Sequence, residues 1–187
     1  MPAKVPFDPD KRTWQPSVLP GQIVLVSTVD GRGRPNVAPK SWLSPAAFAG
    51  PIVAFGCTDA HATLRNAEAQ GEFVVNVVPA ELADTVWAMA DDHGAERLAR
   101  SGLALVPARR VAPPLVAQCT AHLECVLEEV RRFGPEAFVF GRVVAASIDA
   151  DCLAGEPAER YRRLRPVFFL EPGWYAPLGE ARPVARG

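Results

Sequence analysis

The sequence predicts a mainly β protein, a closed or partly closed antiparallel barrel with a few short flanking helices. Three observations lead there. The 187 residues include 14 Gly and 19 Pro, and long proline-free stretches such as 52–78, 80–106 and 115–134 hold one or two elements each. Long helices are thereby excluded, because an interior proline costs a helix about 3 kcal/mol. Two strand-rich stretches, 22–43 and 118–147, are each interrupted by a turn signal, Asp30-Gly31-Arg32-Gly33 and Gly134-Pro135, as two long hairpins require. The helical patterns are too few and irregular to alternate with parallel strands, which argues against a doubly wound sheet.

Taken in order, residues 1–19 hold four prolines among mostly polar neighbours and read as an extended arm that can dock on a partner subunit. Residues 20–187 then form one domain, a size that suits 49% apolar residues and a real core. Residues 22–29 (QIVLVSTV) are β-branched, reverse at the Asp-Gly signal, and return as 36–43 (NVAPKSWL). Residues 52–57 (IVAFGC) form a buried strand launched by Pro51. Residues 73–78 (FVVNVV) form another, stopped by Pro79, with one helix between them over 63–70. Apolar residues Leu82, Val86, Trp87, Met89 and Ala90 follow helical spacing over 80–90, ended by Asp91-Asp92-His93-Gly94, and a short helix over 95–100 is closed by Gly102. Residues 118–131 and 138–147 make the second hairpin. A helix over 157–164 has proline in its first turn, and a last strand spans 167–170 before a Gly/Pro-rich tail.

Charge and motifs narrow the function classes. Twenty basic against 21 acidic residues leave a net charge of -1, so no basic field makes nucleic acid or an anionic membrane the default partner, and any anion site must be local. The N-terminus lacks a secretory h-region, and the most apolar window, 46–57, is broken by Gly50-Pro51. A soluble, cytoplasmic protein is the expectation. Cys57, Cys119, Cys125 and Cys152 have no CxxC or zinc spacing, so reduced thiols and no metal are expected. Cys119 and Cys125 share parity with Ala121 and Leu123 on a strand face. No GxSxG, HExxH, Walker or GxGxxG motif occurs, which leaves no catalytic side chain to nominate.

Two segments nonetheless carry chemistry. In 58–66 (TDAHATLRN) a buried strand gives way to a helix start, where free N–H groups and the positive dipole end can seat a phosphate. Thr58 and Thr63 offer hydroxyls there, and His61 or Arg65 offers charge; the competing reading is that Asp59 or Thr63 simply caps the helix. In 36–45 (NVAPKSWLSP) Pro39 removes a ladder donor, so an irregular edge leaves backbone groups for a ligand beside Ser41 and Trp42. The alternative is an ordinary edge strand with Trp42 in the core. Asn76, polar inside an apolar strand, needs a buried partner, whether structural or near a ligand.

In that order and spacing, 36–45, PIVAFG at 51–56, TLRN at 63–66, GEFVVNVV at 71–78, ELA at 81–83, Gly102-Leu103, LEC at 123–125 and FGRVV at 140–144 closely resemble the flavin reductase-like, FMN-binding split-barrel family over residues 20–147. The resemblance implies a Greek-key-like split β-barrel and a homodimer with FMN near the subunit interface. It implies an NADH- or NADPH-dependent flavin reductase serving a partner oxygenase or another electron acceptor. By matched position, Ala38, Pro39, Lys40, Ser41 and Trp42 lie along the isoalloxazine ring, and Thr58, His61 and Thr63 meet the phosphate. The cofactor then carries the hydride chemistry, so a missing catalytic triad is expected. One departure stands out: reductases of two-component monooxygenases in the family often carry His five residues before the glycine of the second hairpin, where this chain has Glu136. That leaves nicotinamide docking unassigned and keeps open an electron carrier or sensor, or an oxidase of a small organic substrate. His122 and the Arg160, Arg162, Arg163 and Arg165 cluster are alternative docking groups, each with a plain structural reading beside it.

Overall fold

The first hairpin forms where the Asp-Gly signal places it. Strands β1 (Gly21–Val29) and β2 (Pro35–Ala47) pair antiparallel, and the Asp30 carboxylate fixes their turn by accepting the N–H groups of Arg32 (2.9 Å) and Arg34 (3.0 Å). β3 (Ile52–Thr58), α1 (Ala62–Gln70) and β4 (Glu72–Val77) follow. The computed structural model describes residues 2–91 and 96–184, the side chain of Asp91 excepted.

The helix expected over 80–90 is a 3-10 turn (Ala80–Leu82) running into α2 (Ala83–Asp91), and the next is α3 (Arg97–Ser101). The stop signal at Asp92-His93-Gly94 lies outside the described residues. A two-residue ribbon, β5 (Leu105–Val106) with β6 (Leu115–Val116), precedes the second hairpin, β7 (Ala121–Phe133) and β8 (Glu136–Ile148), which turns at Gly134-Pro135. α4 (Pro157–Leu164) opens with Pro157 inside a reciprocal cap of Glu156 and Glu159, and β9 (Val167–Leu170) pairs with β10 (Trp174–Pro177) in the tail.

The sheet order is β10-β9-β1-β2-β3-β8-β7-β4, and β4 also pairs with β1. That extra pairing closes β1, β2, β3, β8, β7 and β4 into a six-stranded antiparallel barrel, leaving β9 and β10 as an extension beside β1. The interior is an apolar cluster of Val24, Val26, Val53, Phe55, Phe73, Val75, Cys125 and Val139, into which Leu64 and Ala67 of α1 insert as a plug at one end. Outside β1, α2 and the β5–β6 ribbon bury Ile23, Leu25, Val37, Val86 and Met89 in a second cluster. Cys119 belongs to that outer cluster and Cys125 to the interior, so their expected common strand face is corrected: a turn at 116–119 delays β7 until Ala121. All four thiols are free and buried.

β2 has two halves. It pairs with β1 along most of its length, but its pairing with β3 covers only Leu43 to Ala47. Between Gln22 and Val24 the β1 register slips against Leu43 and Lys40, which marks a bulge at Ser41-Trp42. Before the bulge, Ala38 and Lys40 oppose the interior residues Val26 and Val24 and share their face; after it, Leu43 packs on the interior cluster. Trp42 is left on the outer face, stacked 6.3 Å from Phe138 and lying over Gly56. The expected irregular edge at Pro39 is therefore a one-sided half-strand, opened where β2 and β3 split.

Candidate functional site

A cleft runs along this split and contains two adjoining pockets. The polar one, ≈ 530 Å³, is lined by β2 from Pro35 to Lys40, the start of α1, Arg65 and Arg97. The apolar one, ≈ 330 Å³, is walled by Ile23, Trp42, Val86, Trp87 and Phe169, with Gly56, Cys57 and Thr58 behind them and Glu136 at one side. Pro39, Lys40, His61 and Ala90 line both. All eight residues nominated from the sequence are brought together: Ala38 and Thr63 in the polar pocket, Ser41, Trp42 and Thr58 in the apolar one, Pro39, Lys40 and His61 at the seam.

The start of α1 is held against the split by a hydroxyl and amide network. Asn36 donates from Nδ2 to Thr28 Oγ1 and to Thr63 Oγ1, each at 3.2 Å, and Asn66 donates to the same Thr28 oxygen at 3.2 Å. Thr63 is thus buried as an acceptor, and among the described residues its own O–H has no acceptor. His61 is the N-cap residue and makes no side-chain capping bond; Asp59 instead accepts from Arg132 at 3.2 Å, and Arg132 also grips Glu68. Capping by Asp59 or Thr63 is thus replaced by an N-terminus whose first-turn N–H groups have no side-chain acceptor among the described residues and open into the polar pocket.

Lys40 reaches the seam from β2, with its ammonium 3.0 Å from His61 Nδ1, while Cys57 Sγ lies 3.7 Å from the same nitrogen. Burial holds the Lys40 ammonium below the usual lysine range; the Cys57 sulfur opposes that shift and the like charge of Arg97 adds to it. Arg97 donates to the Val37 carbonyl at 2.8 Å, and Arg65 to the Ala60 carbonyl at 2.8 Å, so both cations are anchored on the polar pocket's rim.

The other candidates resolve into structural roles. Asn76 donates to the Leu25 carbonyl (3.0 Å) and Ser27 Oγ (2.7 Å), and its Oδ1 accepts from the Val116 N–H (2.8 Å) and faces His122 Nδ1 (3.0 Å). It is a fully satisfied strut between three strands. His122 is its partner, and burial holds its pKa below the ordinary histidine value against the opposing pull of Asp149 and Glu124. Arg160 and Arg163 bond carbonyls of the loop before α4, and Arg165 pairs with Glu81. Arg97, Trp87 and Phe169 were not nominated. Trp87 and Phe169 stack at 5.4 Å, and only the packing of α2 on β9 makes them one wall. Among the described residues no His, Cys, Asp and Glu group is placed to hold a metal, and no helix is long and apolar enough to cross a membrane.

Comparison with known proteins agrees with this architecture. The family model described as "Flavin reductase like domain" matches residues 17–165. A protein of Halalkalibacterium halodurans is 31% identical over 177 residues, covering 88% of this chain and 84% of its own. Among solved structures, nitrilotriacetate monooxygenase component B from Bacillus cereus superposes with a TM-score of 0.85 at 23% identity, covering 98% of this chain and 100% of that one. Flavoredoxin of Desulfovibrio vulgaris superposes with a TM-score of 0.82 at 22% identity, covering 97% of each chain. With a split barrel, a cleft at the split and a family match across most of its length, this chain belongs to the flavin reductase-like domain family.

Proposed function

We propose that the cleft binds FMN and that the protein is a flavin reductase, passing hydride from NADH or NADPH to the flavin. The observation that carries this reading is the joining of an anion-competent pocket to an aromatic-walled apolar one, the two chemistries of a flavin mononucleotide in one cleft. The first-turn N–H groups of α1, the Thr63 hydroxyl, Thr58 and His61 would hold the phosphate, with Arg65 and Arg97 supplying charge at the rim. Backbone groups of the open half of β2, from Ala38 to Trp42, would bond the ring's polar edge, and Trp42, Trp87 and Phe169 would exclude water from its faces. When bound, FMN supplies the hydride-accepting chemistry, so the protein's own work is orientation and electrostatics.

A homodimer with the cleft near its interface accompanies this reading. Val144, Ile148 and Leu153 leave apolar surface exposed along the end of β8 and the turn after it, which supports such packing. Four reduced thiols fit a cytoplasmic setting, and an oxygenase or another acceptor would take the electrons. The test is the visible spectrum of the purified protein, followed by FMN titration and flavin-stimulated oxidation of NADH and NADPH. Protein that is colourless and binds no added FMN would overturn the reading.

Glu136 favours a second reading. It lines the apolar pocket with a carboxylate, which repels an anionic dinucleotide from the ring's open side. FMN-loaded protein reduced by a partner protein, and by neither nicotinamide, would make this chain an electron carrier.

A further inference from the structure

Lys40 stands at a place that the barrel core does not explain. It leaves β2 on the interior face opposite Val24, and the residue is only 8% exposed. The ammonium meets a histidine nitrogen and a thiol, and among the described residues no carboxylate pairs with it. The buried carboxylate of Glu124 makes the contrast: it accepts the N–H groups of Arg109 (3.0 Å) and Arg110 (2.6 Å). A buried cation without a counter-charge is unfavourable, and the fold retains this one at the seam of the two pockets. An anion arriving at the seam relieves that cost, and the relief is greatest in surroundings as apolar as Trp42, Trp87 and Phe169 provide.

The seam constrains which charge matters. On the FMN reading above, on which this inference rests, the phosphate carries the same charge before and after reduction. An ammonium acting on the phosphate alone would therefore tighten both states equally. The ring differs: accepting a hydride from the nicotinamide, two electrons and one proton together, adds one negative charge to it. We propose that Lys40 sets the reduction potential of the bound flavin, its buried charge making the cleft hold the reduced, anionic ring more tightly than the oxidised one. His61, whose Nδ1 meets Lys40 Nζ, holds that ammonium at the seam. Differential stabilisation of the charge that develops in the reaction is what a preorganised site contributes.

The experiment compares dissociation constants of oxidised FMN and of dithionite-reduced FMN, measured anaerobically, for the wild type, Lys40→Met, Lys40→Gln and Lys40→Arg. The neutral variants are expected to lose the preference for reduced FMN by roughly tenfold or more, a fall in potential of about 30 mV per tenfold for a two-electron couple, while Lys40→Arg keeps most of it. Removing an unpaired buried charge does not cost the fold its stability, so Lys40→Met is expected to fold, and Lys40→Gln provides a second neutral side chain. Neutral variants that weaken both states equally, with an unchanged ratio, overturn the proposal and leave FMN binding standing. Wild-type protein that binds FMN in neither state overturns both.

Discussion

The Trp42 indole covers Gly56 so closely that a Cβ at residue 56 would collide with the ring. The same indole stacks on Phe138 from β8 and lies 5.3 Å beneath the Lys11 ammonium of the N-terminal arm. Lys11 is in turn fixed by Glu171 at 2.7 Å. One side chain thus ties β2, β3, β8 and the arm together on the outer face beside the apolar pocket.

Gly56→Ala is expected to push Trp42 off this seat. Overpacking of this kind costs about 1 to 3 kcal/mol, read by urea unfolding, and the displaced indole should weaken FMN binding. Unchanged tryptophan fluorescence and unchanged stability would show that the ring has room to yield.

Thr63→Ala combined with His61→Ala removes two polar side chains from the start of α1 without removing a capping bond. FMN affinity is expected to fall at least about tenfold, since hydrogen bonds to charged groups contribute roughly 1.5 to 3 kcal/mol each. The check is fluorescence titration with FMN, with riboflavin as the phosphate-free control. Equal losses for both ligands would place the phosphate elsewhere.

Asn76→Ala should cost roughly 2 to 4 kcal/mol, because it orphans the buried Val116 N–H and Leu25 carbonyl along with its side-chain partners. Its partner His122 adds a pH dependence. The folded-state pKa lies below 6.5, so as pH falls through 6.5 the unfolded chain takes up the proton first and stability declines. His122→Gln is expected to flatten that acid limb in denaturant midpoints measured between pH 5 and 8.

Burial pushes the thiols of Cys119 and Cys125 up to about 12 from 9.0. Both stay protonated in the folded protein. Their contribution to stability is complete below pH 9.0 and is lost as pH rises toward 12, because the unfolded chain ionises first. Iodoacetamide at pH 8 should leave both unmodified until denaturant unfolds the chain; labelling of either in native protein would contradict the packing.

Much of this was legible in the sequence because the signals were local. Asp30-Gly31 and Gly134-Pro135 placed the hairpins, Pro157 placed α4, and 73–78 placed β4 to within a residue. Closure of the barrel was not, since the pairing of β1 with β4 joins residues some fifty positions apart, such as Leu25 and Asn76. β5, β6 and β10 are too short to show a period. The site divides the same way. Prolines and hydroxyls marked 36–45 and 58–66, but the bulge at Ser41-Trp42 shifts the alternation, so the inward turn of Lys40 could not be read from parity. Arg97, Trp87 and Phe169 come from elements that only tertiary packing brings to the cleft.

The one-sided half of β2 also bears on how the protein behaves in concentrated solution. A strand edge lying open in a cleft is a template on which another chain can add itself, the route by which sheet proteins aggregate. Here Pro35 and Pro39 supply no N–H to such an intruder, and the half-strand between them is short. The edge is a poor docking site for a strand yet still offers carbonyls and the remaining amides to a small molecule, so strand-on-strand aggregation is discouraged by the same residues that keep the cleft open.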